Sequence, residues 1–291
     1  MSLMIMSTKS RIGIAAVSVL TLVALLLVWM SRGQDRGQYS SADISKAAAG
    51  DALQQSAGLR VFFAHQSVGG NIVGGIPDAY SAAGVPQPNV VEVSGDPRSV
   101  SSLPTSNEGF FAHTFVGVNG DPVGKLEEFD SWMRSGMAEQ VDVAFIKLCY
   151  IDFTADTDVD AVFDTYRETL TDLERDYPDV TFVALTTPLT TEPGLKTKAK
   201  AMLGGSNPSP GDNAARQEFN ALLRAEYGDR LFDVAAFEST APDGSRIEGS
   251  VDGQEYFALY DGYALDEGHL DQPTSAVAAA RLMTFLAEQS S

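Results

Sequence analysis

The chain has 291 residues, 44% of them hydrophobic, and a formal net charge of −19, enough apolar material for one sizeable core beyond any targeting segment. That acidic balance argues against a nucleic-acid surface, which needs clustered Lys and Arg to meet phosphates. The single cysteine, Cys149, excludes an intramolecular disulfide and a Cys-based zinc cluster, and its apolar run, 144–150, makes it a core residue.

Residues 12–30 contain no charge. As a helix rising about 1.5 Å per residue they cover about 28 Å, close to a bilayer's hydrocarbon thickness. The reading is an uncleaved single-pass anchor: 1–11 cytoplasmic, with Lys9 and Arg11 before the span, 12–30 transmembrane, and the acidic bulk exported. A cleaved signal peptide is the alternative, although no Ala-x-Ala-like site follows the apolar run. Residues 31–58, rich in Ser, Ala, Gln and Gly with one weakly helical patch near 43–55, read as a linker.

From 59 to 288, short apolar runs alternate with longer amphipathic stretches, the pattern of βαβ units. Strands are expected at 59–64, 89–93, 141–148, 180–185 and 230–234. One helix is expected after Asp121-Pro122, an N-cap acid followed by a first-turn proline. A second covers 159–177, where Val162, Phe163, Tyr166, Leu170 and Leu173 keep helical spacing and Pro178 stops it. Two more cover 213–227 and 274–288. This order implies a three-layer αβα sandwich around a mostly parallel five-stranded sheet of flavodoxin-like type, with the ligand site outside the carboxyl ends of the strands.

The first strand runs into Phe62-Phe63-Ala64-His65-Gln66-Ser67-Val68-Gly69-Gly70, placing Ser67 on the turn from strand to helix. Such a turn exposes a hydroxyl and converges backbone amides on one spot. It also suits a plain N-cap serine. A serine nucleophile needs a base, and the base needs a carboxylate to fix its tautomer. Asp266 and His269, in Leu265-Asp266-Glu267-Gly268-His269-Leu270 before the last helix, are spaced so that the carboxylate can hold Nδ1 while Nε2 faces another loop.

Taken together, the order and context of these two blocks resemble the SGNH-hydrolase superfamily, the GDSL esterases and lipases, over about residues 59–286. The resemblance implies Ser67 as nucleophile, His269 as general base and Asp266 as its orienting acid. Gln66 stands where the family usually has aspartate. The family also places a glycine amide and an asparagine side chain beside the serine amide to hold the oxyanion. Asn119 and Gly120, in the run 116–122, offer both donor types; the same pair also reads as a tight turn. After the third expected strand, where the family has Gly-x-Asn-Asp, this chain has Lys147-Leu148-Cys149-Tyr150-Ile151-Asp152-Phe153. Either Asn119 substitutes for the missing asparagine, or Tyr150 or Asp152 lines the pocket differently, or the hole is incomplete.

His65 either lines the pocket or hydrogen-bonds beneath it, and His113 reads as a satisfied, partly buried histidine. No fixed-spacing metal motif accompanies them. The stretch 186–211 suits a lid or binding loop, and Tyr256, Phe257, Tyr260 and Tyr263 form either an aromatic wall or core. The resulting expectation is a serine ester hydrolase working through an acyl-enzyme, with no cofactor. It acts outside the membrane on a small-molecule or glycan ester, with no nucleic-acid partner. The alternatives are a carbohydrate O-acyltransferase with the same triad and a non-catalytic glycan-binding module.

Overall fold

The computed structural model describes residues 39–290 apart from 96, 98–102, 104–107 and 193–208. Its centre is β1 (Arg60–His65). Alternate residues of β1 face two cores: Phe62 and Ala64 enter one, Val61 and Phe63 the other. A strand buried on both faces has to read as an uninterrupted apolar run, which is how parallel sheets are built.

Strand β1 pairs in parallel with β3 (Phe110–Phe115) on one side and β4 (Val143–Ile146) on the other. With β2 (Asn89–Glu92) outside β3 and β5 (Thr181–Phe182) outside β4, the sheet order is β2-β3-β1-β4-β5, parallel throughout. The count of five matches the expectation, but the membership differs. Residues 110–115 were not expected as a strand, because His113 and Thr114 interrupt the apolar run. His113 is nevertheless buried, since its Nδ1 meets Nε2 of His65 at 3.1 Å. The expected strand 180–185 divides at Val183 into β5 and β6 (Ala184–Leu185), and the expected strand 230–234 is β7 (Leu231–Phe232), which pairs with β6.

Helices cover both faces. On one, α4 (Pro122–Trp132), α5 (Val159–Asp176) and α6 (Pro210–Tyr227) bury Leu126, Phe129, Trp132, Tyr166, Leu170 and Phe219. Their starts follow the expected chemistry: Asp121 caps α4 by accepting from the Gly124 amide, with Pro122 in the first turn. On the other face lie α3 (Val68–Ala83) and α8 (Gln272–Gln289), with Ile72, Ile76, Val277, Leu282 and Met283 in the core. Helix α3 is a poor helix by composition, since it contains Gly69, Gly70, Gly74, Gly75 and Pro77, and each interior glycine costs about 1 kcal/mol relative to alanine. Close packing offsets part of this. A Cβ at Gly75 would overlap the Ser275 backbone, and one at Gly69 would overlap the His65 side chain. The second face is completed by α7 (Val234–Glu238), and the hairpin of β8 (Glu248–Val251) and β9 (Gln254–Phe257) packs against α6.

Two expectations about the N-terminal region need correction. Residues 39–58 are not a linker within the described structure: they form α1 (Ser41–Ala47) and α2 (Gly50–Ser56) and belong to the compact unit. Leu53 is fully buried, Ser56 shares a hydrogen bond with Tyr80 at 2.8 Å, and Tyr39 stacks on Tyr263. The weakly helical patch at 43–55 is part of a helix pair whose packing rests on a few apolar residues, with Ala48 and Leu53 buried and Ala42 and Ala49 exposed. The transmembrane expectation is corrected as well: among the described residues no helix is long and apolar enough to cross a membrane. The segment 12–30, on which that expectation rested, lies outside the described residues.

Candidate active site

The parallel register brings three loops to one edge. Val116 N–H donates to His65 O at 3.1 Å and Lys147 N–H to Ala64 O at 3.0 Å, so the segments after β3 and β4 leave the sheet on either side of the turn after β1. Ser67 occupies that turn with φ 51° and ψ −111°. A left-handed φ at a non-glycine residue stores about 1–3 kcal/mol, which the surrounding packing has to supply. Its carbonyl accepts from the amides of Gly70 (2.8 Å) and Asn71 (3.3 Å), starting α3. The hydroxyl is directed away from the helix: Ser67 Oγ lies 2.6 Å from His269 Nε2.

His269 lies on the loop before α8. That loop is closed on itself, with Leu265 N–H donating to His269 O at 2.8 Å and Asp271 N–H to Tyr263 O at 2.9 Å. It is also tied to α3 through Leu270 N–H and Asn71 Oδ1 at 3.3 Å, so one helix start locates both the serine and the histidine. Asp266 lies behind the imidazole, its carboxylate oxygens 2.9 and 2.8 Å from Nδ1. The same carboxylate accepts from the amides of Gly268 and His269, both at 2.9 Å. Burial pushes the Asp266 pKa up. The two amides and the imidazole outweigh it and hold the carboxyl below the usual carboxylate range. An ionised Asp266 on Nδ1 fixes the tautomer in which Nε2 can accept the Ser67 proton.

The residues expected on the oxyanion side are arranged differently. Gly120 N–H donates to Asp152 Oδ1 at 2.9 Å, so this amide is committed within the protein. Asn119 Oδ1 accepts from Lys125 Nζ at 3.2 Å. Asp152 does not line a pocket. Its side chain and that of Lys125 are completely buried, Nζ lies 2.6 and 2.8 Å from the two carboxylate oxygens, and Asp152 also accepts from the Cys149 amide at 2.7 Å. The ion pair fastens the first turn of α4, and the Gly120 amide the loop after β3, to the loop after β4. The sequence separation of 27 between its members left no local signal for it.

His65 lies beneath the site rather than in it, fully buried against Phe63, Phe115 and the backbone of Gly69. Burial, with the His113 ring and the Lys147 ammonium nearby, pushes its pKa down to about 2, so it is neutral. Gln66 Nε2 donates to the carbonyls of Val116 (3.1 Å) and Gly117 (3.3 Å), holding the loop after β3. Tyr150 comes to the site itself: its ring stands edge-on to His269 with centroids 5.9 Å apart. Cys149 is buried. Tyr256 and Tyr263 are buried in the core, where Tyr263 stacks on Phe237, while Tyr260 packs edge-on to Tyr263. Of the stretch expected as a lid, 193–208 lies outside the described residues; Thr191 N–H, at its start, donates to Glu267 O at 2.9 Å on the histidine loop.

No protein-family model matches the chain, and no curated protein matches it significantly. Among solved structures, a protein of Streptococcus pneumonia described provisionally as a platelet activating factor is similar over 90% of this chain and 97% of its own, with 15% identity and a TM-score of 0.44. The periplasmic domain of the Salmonella ser. Paratyphi A lipopolysaccharide acetyltransferase is similar over 75% of this chain and 80% of its own, with 10% identity and a TM-score of 0.41.

Proposed function

We propose that the chain is a serine ester hydrolase acting on a small-molecule or glycan ester through an acyl-enzyme. The observation that carries this reading is the 2.6 Å contact between Ser67 Oγ and His269 Nε2, with Asp266 on the far nitrogen of the same ring. An N-cap serine would turn its hydroxyl to the first helical amides; Ser67 makes no such bond to α3.

In the proposed cycle His269 Nε2 takes the Ser67 proton as Oγ attacks the ester carbonyl. The carbonyl π electrons move to oxygen, and collapse of the tetrahedral species expels the alcohol, which receives the proton from His269. Water then repeats the sequence on the acyl-serine and releases the acid. Access supports an acyl substrate. The exposed large apolar residues among those described are Phe115 at the end of β3, Val118 in the loop after it, Val123 in the first turn of α4, Ile151 after β4 and Leu265 on the histidine loop. An apolar rim of this kind suits the acyl side of an ester, and exposed apolar patches commonly mark binding sites.

Turnover of p-nitrophenyl acetate by the purified chain tests the proposal. Activity that falls by at least about 10³-fold in Ser67→Ala and in His269→Ala agrees with residues acting as a unit. Equal turnover by wild type and both variants would refute it.

A further inference from the structure

We propose that Arg216 is a positioning residue for His269: its guanidinium clamps the two supports that hold the histidine loop in register with Ser67. The inference rests on the esterase reading above. Other segments meet the histidine loop on two sides. On one, the Tyr150 ring lies against Gly268, where a Cβ would come within 2.6 Å of Tyr150 Cε1 and 2.7 Å of Cζ, and the same ring stands edge-on to His269. On the other, Thr191 N–H donates to Glu267 O at 2.9 Å. Glu267 and Gly268 are the two residues before His269, so a shift of either support is passed to the imidazole.

Both supports converge on Arg216 of α6. Its Nε donates to Tyr150 O at 2.7 Å and its Nη2 to Phe153 O at 3.3 Å, which fixes the loop after β4 from which the Tyr150 ring projects. The guanidinium carbon also lies 5.7 Å from the centroid of that ring, within cation–π range. Nη1 donates to Thr190 Oγ1 at 2.9 Å and to Asn213 Oδ1 at 2.6 Å. Asn213, nearly one turn earlier on α6, brackets the Thr190 backbone: its Oδ1 accepts from the Thr190 amide at 3.1 Å and its Nδ2 donates to the Thr190 carbonyl at 2.8 Å. Thr190 directly precedes Thr191, so the bracket sets the segment that meets Glu267.

This arrangement calls for arginine in particular. All three guanidinium nitrogens donate, and their acceptors lie on three separate segments, at 150–153, 190 and 213. A planar fork reaches them together, whereas an ammonium is a single point. Arg216, Thr190 and Asn213 are all buried, so bulk water does not compete for these bonds. Burial lowers the Arg216 pKa to about 10, which leaves the guanidinium charged at neutral pH. A charge buried among carbonyl, carboxamide and hydroxyl oxygens is costly to desolvate; what it achieves here is a fixed relation between two loops, both of which bear on His269.

Arg216→Met keeps an apolar stem and removes the fork. The rate and the end point of Ser67 labelling by a fluorophosphonate, followed by mass spectrometry on the full chain, separate positioning from folding. The rate is expected to fall about 100-fold, the scale for a catalytic group misplaced by about 1 Å, with an end point still at one label per chain. A rate equal to wild type overturns the role. A wild-type rate with a lowered end point also overturns it, because Arg216 then only maintains the folded fraction. Should Arg216→Met fail to fold, Arg216→Lys, which keeps the charge and loses the fork, is expected to slow labelling at least about tenfold at full end point, and a wild-type rate there overturns the role. Gly268→Ala forces the loop off the Tyr150 ring while leaving the clamp intact; it is expected to slow labelling too, and an unchanged rate breaks the link from Tyr150 to His269. A wild-type chain that takes no label on Ser67 would remove the esterase reading itself, whereas a labelled wild type beside an equally fast Arg216→Met removes only this assignment.

Discussion

Replacing Asp152 by alanine tests how the two loops beside Ser67 are held. The carboxylate accepts Lys125 Nζ at 2.6 and 2.8 Å, the Gly120 amide at 2.9 Å and the Cys149 amide at 2.7 Å, with both charged side chains fully buried. Removing one member of such a pair strands the other charge away from water and costs about 3–5 kcal/mol. Each of the two amides that loses its acceptor adds about 1 kcal/mol. Asp152→Ala should therefore lose about 5–7 kcal/mol, a large part of the roughly 5–15 kcal/mol of a typical domain. That corresponds to a melting temperature lower by about 10–28 °C for a chain of this size. The double variant Lys125→Met, Asp152→Ala should be more stable than Asp152→Ala alone, because the orphaned ammonium is gone. Urea denaturation followed by circular dichroism reads both values. A loss under about 1 kcal/mol for Asp152→Ala, or a double variant whose loss equals the sum of the singles, would refute the buried-pair reasoning.

Three further outcomes are expected. Gly75→Ala should destabilise by about 1–3 kcal/mol through overpacking, because its Cβ meets the Ser275 backbone, whereas Gly74→Ala, with nothing within 4 Å, should stabilise by about 0.5–1 kcal/mol; thermal melts of the pair showing equal shifts would contradict the close packing of α3 on α8. Leu53→Ala should cost about 2–5 kcal/mol, since Leu53 is fully buried on α2, and a neutral effect would return residues 39–58 to the status of a linker. The third concerns Glu238, which accepts from the Leu189 amide at 2.7 Å. Burial raises its pKa from 4.5 to about 8 against the pull of that amide, Lys147 and Arg216. Between those values the folded state holds a proton that the unfolded state has released, so stability falls as pH rises through the window. Glu238→Gln should gain on wild type progressively from pH 4.5 to 8 in urea titrations, and a pH-independent difference would contradict the assignment.

Much of the architecture is legible in the sequence because it depends on local patterns. The apolar run of β1, the spacing of Val162, Phe163, Tyr166, Leu170 and Leu173 on α5 and the Asp121-Pro122 start of α4 each carry their own signal. Strand β3 was hidden because His113 looks polar until its partner His65, 48 residues away, is known. The helices α1 and α2 show in the sequence only as one weakly helical patch near 43–55, because a few buried residues, such as Leu53, do their packing within a polar composition. At the candidate site, Ser67, Asp266 and His269 stand out because two short motifs flank the predicted first strand and last helix. The donor arrangement did not. Which acceptor takes the Gly120 amide depends on Asp152, and Asp152 is set by Lys125 on another element. The role of Gly268 is equally non-local, since only the Tyr150 ring lying against it explains why it has no side chain. Long-range polar partnerships of this kind leave no periodicity to read.

The central claim is that Ser67 is a nucleophile activated by His269, and peptide-mapped labelling with a fluorophosphonate tests it most directly. One adduct is expected, on Ser67, formed by the folded wild-type chain and lost in both Ser67→Ala and His269→Ala. A wild-type chain that takes up no label, or one labelled on a different serine with His269→Ala labelled equally well, would contradict it.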